Sequence, residues 1–542
     1  MSRSRLPDLQ SAHLLDRRTV LQIALAAQAA LAFGGSARAA GADRLKFGKP
    51  EPFSYDGLKT FAKNLAGKSY QPPAAPDPAI VQKIDYDAHG KIKFKPEDAL
   101  YAESAGAYPI TFMHVGKFFP KTVRMHAVAD GQSREILYDP SLFDMPADSI
   151  ARGLPAQPSA FAGFWVREAK DQVTEKGDWK TREPFATFLG ASYFRAIGAA
   201  GQVGMSARGV ALFPAPGEAE EFPDFISFWF EPAKTNGDPV TVFALLDGPS
   251  LSGAYRFLIH RTAGTLMEIE AEVTMRKQVA RLGLAPLTSM YWFSETAKPN
   301  LIDWRPEVHD SDGLAMWTGA GERIWRPLNN PPRIMTSTFS DEDPKGFGLL
   351  QRDRDFDHYE DGVRYEDRPS TWVEPVGDWG KGVVQLVELP TDDEIHDNVV
   401  AYWIPEQSAA PGATIALAYK LHWQDDEPYP TELGRCVATR LGRGGQPGLP
   451  RPAGVRKFIV EFLGGPLADI PYGATVEPVL WASRGKFSYV FAEAVPSDVK
   501  GHWRAQFDLT VEGPEPVEMR CYLKAGGQVL TETWLYQYHP AP

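Results

Sequence analysis

Apolar and polar residues alternate strictly from Met267 to Met275: Met267, Ile269, Ala271, Val273 and Met275 take one face, and Glu268, Glu270, Glu272 and Thr274 the other. The same period of two runs through Ile415, Leu417, Tyr419, Leu421 and Trp423, and again through Trp503–Thr510. Successive side chains of an extended strand point to opposite sides of a sheet, so this pattern predicts half-buried antiparallel strands. Helical periodicity is scarce. Residues 53–66 predict one helix, with Leu58, Phe61, Ala62 and Leu65 on a single side. The 48 Gly and 46 Pro are spread along the chain, as turns between many short strands require. The class expected is mainly β.

An acidic, proline-bearing, unpatterned stretch at 424–433 (Gln-Asp-Asp-Glu-Pro-Tyr-Pro at its start) predicts a linker. Beyond it, 434–542 holds strand-like runs at 455–462, 485–492, 503–510 and 517–524, the rhythm of an immunoglobulin-like sandwich. Before it, 40–423 shows no comparable break and predicts one large β-sandwich. Residues 442–454, rich in Gly, Pro and Arg, predict an open loop.

The first 39 residues carry a different signal. Asp16-Arg17-Arg18-Thr19 precedes an uncharged Ala- and Leu-rich run, Val20–Gly35, and Ala37-Arg38-Ala39 offers a small-x-small cleavage pattern. These are the three parts of a signal peptide, and the paired arginines predict the twin-arginine export machinery as a partner and the periplasm as the destination. The apolar run is short for a bilayer span, and no later stretch is long and apolar enough, so no stable membrane insertion is expected. The leader's five Arg and two Asp carry +3, so the remaining chain stands at −15 against −12 for the whole. Such an acidic protein has no electrostatic reason to bind nucleic acid or anionic lipid, whereas a neutral polymer remains compatible. The two cysteines, Cys436 and Cys521, are too far apart to suggest a zinc site; a periplasmic address permits a disulfide between them without requiring one.

Candidate chemistry concentrates at 291–404, dense in carboxylates, tryptophans and arginines. Indole faces stack on sugar C–H surfaces, guanidinium and carboxylate groups bond to ring hydroxyls, and two carboxylates supply the acid and base of glycoside hydrolysis. Trp325, Arg326, Trp372 and Trp379 are expected to line such a cleft, with Asp312 and His309 as further substrate contacts. Each has a plainer reading: tryptophans as core, His309 as a structural hydrogen-bonder, Asp310-Ser311-Asp312-Gly313 as a turn. Asp353-x-Asp355-x-Asp357 resembles a calcium loop, but His358 stands where that loop needs Gly, so no metal is expected. No cofactor is expected, since no phosphate loop, dinucleotide fingerprint or nucleophile elbow occurs; 204–209 (Gly-Met-Ser-Ala-Arg-Gly) lacks the elbow's spacing.

Several strings resemble the periplasmic glucan biosynthesis proteins G and D. They are Phe-Leu-Gly-Ala-Ser-Tyr-Phe-Arg-Ala at 188–196, Glu-Phe-Pro-Asp-Phe at 221–225, Arg-Pro-Glu-Val-His-Asp-Ser-Asp-Gly at 305–313 and Trp-Arg-Pro-Leu-Asn-Asn-Pro at 325–331. The segments 343–356, 372–375 and 379–382 extend the likeness across the chain, and the twin-arginine leader favours the D branch. The resemblance implies a galactose-mutarotase-like β-sandwich before the immunoglobulin-like one, and a role in making osmoregulated periplasmic glucans with a β-1,2-linked backbone. It further implies an inverting endo-β-1,2-glucanase, with Asp310 as general base and Asp397, within 391–398, as general acid. Glu394 would stand beside the acid, where a like charge raises its pKa. Two other readings stay open on the same fold: a noncatalytic glucan-binding scaffold, and a transglycosylase or branching enzyme.

Overall fold

The computed structural model describes residues 44–540 apart from 176, 214–218, 298–301, 407–408 and 472; the expected leader lies outside the described residues. The described chain is mainly β, as the alternation requires. Strand Thr265–Met275 contains the first alternating run and pairs antiparallel with Thr414–Gln424, which contains the second; Ile269 faces Tyr419 and Val273 faces Ile415. Two runs that share a period in sequence are therefore hydrogen-bonded neighbours with one common buried face.

These strands belong to a long sheet that continues on one side through Leu251–Arg261, Val240–Asp247 and Asp224–Glu231. On the other side it runs through Ser370–Pro375, Gly346–Leu350, Gly313–Trp317 and Arg323–Pro327. Facing it is a ten-stranded sheet that includes Lys381–Glu388, Val399–Pro405, Arg281–Ser289, Tyr193–Ala196 and Ala186–Leu189. The two meet through aromatic rings: Phe164 on Phe228 at 4.9 Å, Phe188 on Phe257 at 5.1 Å, and Phe194 on Trp423 at 6.1 Å between centroids. Each buried ring removes enough apolar surface to contribute about 1.5–3 kcal/mol, which makes this seam the main core. The expected helix forms at Tyr55–Ala66, capped by Ser54, whose side chain accepts from the Gly57 amide; Leu58 and Ala62 pack on Phe243, Leu245 and Ala254.

Beyond 434, Arg435–Arg443, Val455–Leu463, His502–Thr510 and Lys486–Ala494 form a four-stranded sheet. It closes over Phe458, Phe462, Phe507 and Trp534 against Glu477–Ala482, Val517–Ala525 and Thr533–Tyr538. That second core also takes in Ala315, Trp325, Leu350 and Trp372 from the preceding part. Thr533–Tyr538 pairs in parallel with Arg323–Pro327, so the long sheet runs on into the C-terminal strands. The segment expected as a linker is anchored: Glu427 is 4% exposed and pairs with Arg323 at 2.8 Å and Arg352 at 3.5 Å. Both cysteines are free and buried.

Candidate active site

The hairpin Tyr291–Phe293/Val308–His309 sets the first carboxylate. Asp310 donates its amide to Met290 O at 2.8 Å, and its side chain accepts from Arg368, just before strand Ser370–Pro375. The Arg368 guanidinium lies 4.4 Å over the Tyr365 ring, and burial pulls its pKa down to about 10.

The second carboxylate sits on the loop between Lys381–Glu388 and Val399–Pro405. Asn398 pins that loop to the same hairpin: its Oδ1 accepts from Tyr291 N at 2.8 Å, and its Nδ2 donates to Tyr291 O and Leu389 O, each at 2.9 Å. Asp397 and Asp310 thus flank adjoining residues of one hairpin, and both lie in the field of Arg368. Asp397 is exposed as a residue, yet the surrounding walls strip water from its carboxyl and raise its pKa; Arg195, Arg208 and Arg368 oppose that rise. Glu394 is not among the charges acting on it. Instead Glu394 accepts from Arg305 at 2.5 Å and from the Tyr365 hydroxyl at 2.7 Å, so the expected like-charge effect gives way to burial, and Glu394 tethers the loop. Arg305 completes that knot by pairing with Asp303 and with Asp361 at 2.8 Å.

A cavity of about 440 Å³ opens near Asp397, lined in part by Phe118, Phe119, Tyr193, Arg195, Ser206 and Phe222, whereas Asp310 is buried and does not line it. Tyr193 and Arg195 both feel the charge of Asp397. Phe118 and Phe222 are 62% and 45% exposed, leaving ring surface to meet a ligand. The turn that shapes the wall holds Gly190 and Ala191 at φ +77° and +42°; the second is strained for a residue with a side chain, as is common where a loop serves a site. Arg208 stands behind the wall, 1% exposed and paired with Glu220 at 2.6 Å; among the described residues its Nε and Nη2 have no hydrogen-bond partner.

The remaining expected substrate contacts lie elsewhere. Trp325 and Trp372 are buried in the second core; the Arg352 guanidinium stacks 3.8 Å over Trp325. Gly313 and Gly346 make room for these indoles, since a Cβ at either would stand 2.3 Å or 2.4 Å from the ring. Gly313 therefore serves packing. Arg326 is ion-paired with Glu388 at 2.9 Å, both 1% exposed. Its neighbours Asn329 and Asn330 bond to Glu388 and Thr391, so the string 325–331 braces the Asp397 loop from behind. His309 is fully buried between Gln351 Oε1 and Glu307 Oε2, each at 3.0 Å. Burial is the largest single influence and opposes its charge, but the Glu307 hydrogen bond and the charges of Glu307, Asp312 and Asp353 together outweigh it and raise the pKa. Asp312 caps the amides of Arg352 and Asp353 at 3.0 and 2.8 Å. Trp379 stands off the far end of Ser370–Pro375 from Arg368. These residues looked like sugar contacts because composition reports residue type, not which way a side chain faces. Tyr193, Arg195, Arg305 and Arg368 were the missed ones; 188–196 and 305–313 contain three of them, but nothing local marks an arginine as facing a cleft.

Among the described residues one group has metal-ligand spacing: Glu307, Asp353 and His358, whose ligand atoms lie within 4.8 Å of one another. It is internally satisfied, Glu307 by His309 and Asp353 by His358 Nδ1 at 2.5 Å. The Asp353-x-Asp355-x-Asp357 run turns its carboxylates onto its own amides at 3.2 and 3.1 Å.

Fold and site together define a mainly β protein with two carboxylates in the field of one partly buried guanidinium and, near Asp397, a cavity walled by open aromatic rings. The family model described as periplasmic glucan biosynthesis protein, MdoG, matches residues 53–538, and the chain belongs to that family. It is 59% identical over 529 residues to glucans biosynthesis protein D 2 of Ralstonia nicotianae, covering 97% of this chain and 98% of the relative. It is 44% identical over 539 residues to glucans biosynthesis protein D of Xanthomonas axonopodis pv. citri (97% and 99% covered). Against glucans biosynthesis protein D of Stenotrophomonas maltophilia it is 45% identical over 501 residues, 92% of each chain. No helix among the described residues is long and apolar enough to cross a membrane.

Proposed function

We propose that this protein acts in periplasmic glucan biosynthesis by cutting, with inversion, the β-1,2-linked backbone of the glucan. Asp397 protonates the departing glycosidic oxygen, and Asp310 serves the attacking water, directly or through a relay. The observation that supports the reading is the double anchoring at Met290 and Tyr291, which brings both carboxylates within the influence of Arg368. Their environments differ in the sense the chemistry needs. Asp397 holds its proton to higher pH than an ordinary Asp, while Asp310 is ion-paired and oriented by a guanidinium. The aromatic walls supply stacking surface for pyranose rings. The paired arginines of the leader and the family's periplasmic description support export across the inner membrane.

Incubation with linear β-1,2-glucan should release shorter chains whose new ends first appear in the inverted anomeric form. Asp397→Asn and Asp310→Asn should fold normally, still bind glucan, and lose cleavage on the order of 10²- to 10⁴-fold. Wild-type cleavage by Asp397→Asn would remove the acid. Glucan binding with no cleavage by the wild type would make the protein a glucan scaffold, and products longer than the substrate would make it a transglycosylase.

A further inference from the structure

A second groove, of about 340 Å³, lies on the outer face of the long sheet, lined by Tyr55 and Lys59 of the helix, Glu270 and Glu272, the turn Val376–Trp379, and Ala416 to Ala418. It is remote from the carboxylate pair. Arg368 precedes the start of strand Ser370–Pro375, and Trp379 follows its end; six extended residues span about 20 Å.

The strand register explains why a trough exists. On this face Glu270 pairs with Ala418 and Glu272 with Ala416, whereas the next outward positions carry Lys420 and His422. The two small side chains lower the floor just where the helix stands on one side and the Val376–Trp379 turn on the other. Two aromatic rings stand in its walls, each pinned by its polar end. Tyr55 donates its hydroxyl to Glu270 O at 3.1 Å, and Trp379 donates its indole N–H to Ala418 O at 3.2 Å. Rings fixed in this way offer stacking surface with little entropy left to lose. The charges are mixed: Glu270 is ion-paired with Arg256, and Lys59 with Asp56. Val376 and Asp378 are exposed on the rim. Pinned aromatic rings and carboxylate acceptors suit a neutral polyhydroxylated chain, whose hydroxyls can donate to Glu272 and Asp378.

We propose that this trough is a second glucan-binding site, which holds a distant stretch of the same polymer while another stretch occupies the cleft. The proposal rests on the reading of the protein as glucan-acting. Two linked weak sites raise the apparent affinity for a long chain through effective concentration, provided the chain spans both.

The test uses the full chain carrying Asp397→Asn, titrated calorimetrically with a short linear β-1,2-gluco-oligosaccharide. Two molecules should bind per chain, and adding Ala416→Leu should leave one. Ala416 is exposed, so leucine fills the trough without disturbing the core. Trp379→Ala should do the same, but its ring also packs on Trp403 and Tyr419, which makes Ala416→Leu the decisive variant. With Ala416→Leu, retardation by long glucan in a gel should weaken on the order of tenfold or more, the effective-concentration gain of the second site being lost. A single site before Ala416→Leu is introduced, or two sites remaining after it, overturns this proposal and leaves the cleft reading intact. No binding at all overturns both. Binding of an oligolysine peptide that Ala416→Leu abolishes, with glucan binding unchanged, assigns the trough to a cationic partner and overturns it as well.

Discussion

Asp397 shows how one side chain's surroundings set its chemistry. Removal from water disfavours the carboxylate and lifts its pKa above the ordinary ~3.9, while three guanidinium groups pull it back. A general acid works only while protonated, so Asp397 sets the alkaline limb: turnover should fall as pH rises through its pKa. Arg195 exerts the largest opposing charge and is exposed, so Arg195→Met should fold as the wild type does. It should also move the falling limb of kcat against pH upward, because a charge that favours the ionised carboxyl is gone. A limb that does not move would separate Asp397 from the acid role. The same scale explains the tryptophans: Trp325 and Trp372 are among the most buried side chains, while Phe118 and Phe222, which composition does not distinguish from core phenylalanines, face the cavity.

At the scale of elements, the chemistry depends on a loop held at three points. Asn398 clamps its end to the 291 hairpin, Asn330 holds its start through Thr391, and Glu394 ties its middle to Arg305 and Tyr365. Asn398→Ala deletes three hydrogen bonds in a buried setting and leaves main-chain groups unpaired, a loss of about 2–4 kcal/mol. We expect a lower melting temperature, and a fall in kcat larger than the change in glucan affinity, because the acid is misplaced while the walls remain. Equal losses in kcat and affinity would mean that the clamp shapes the cleft rather than the acid. The motif strings made this segment visible in the sequence; the clamps were not, since each joins residues tens of positions apart.

At the scale of the whole molecule, a buried charge network crosses the position expected for a linker. Arg352 pairs with Glu532 at 2.5 Å and with Glu427, which also meets Arg323 and Arg435; Glu532 accepts the Cys436 amide at 2.7 Å. We propose that 434–542 is a sandwich in its own right, docked through this network and the shared core. Breaking a buried pair strands its partner, so Glu532→Ala should cost about 3–5 kcal/mol in unfolding free energy. Limited proteolysis should cut within the exposed 446–453 and spare 424–433, where Glu427 is held. Glu532→Ala should open 424–433 to the protease as well. Early cleavage at 424–433 in the wild-type protein would instead favour a linker there.

By itself the sequence determined the mainly β class, because a period of two can bury only one face of an extended chain. It determined the helix at 55–66 and the family, through long strings of residues. Only the tertiary structure decided which aromatic rings face solvent, which arginines converge on Asp310 and Asp397, and that 424–433 is tied down. Those outcomes depend on strand register and on contacts such as Arg368 with Asp310 and Arg352 with Glu532. Such contacts join residues far apart in the chain, and no local pattern of apolar and polar positions records them.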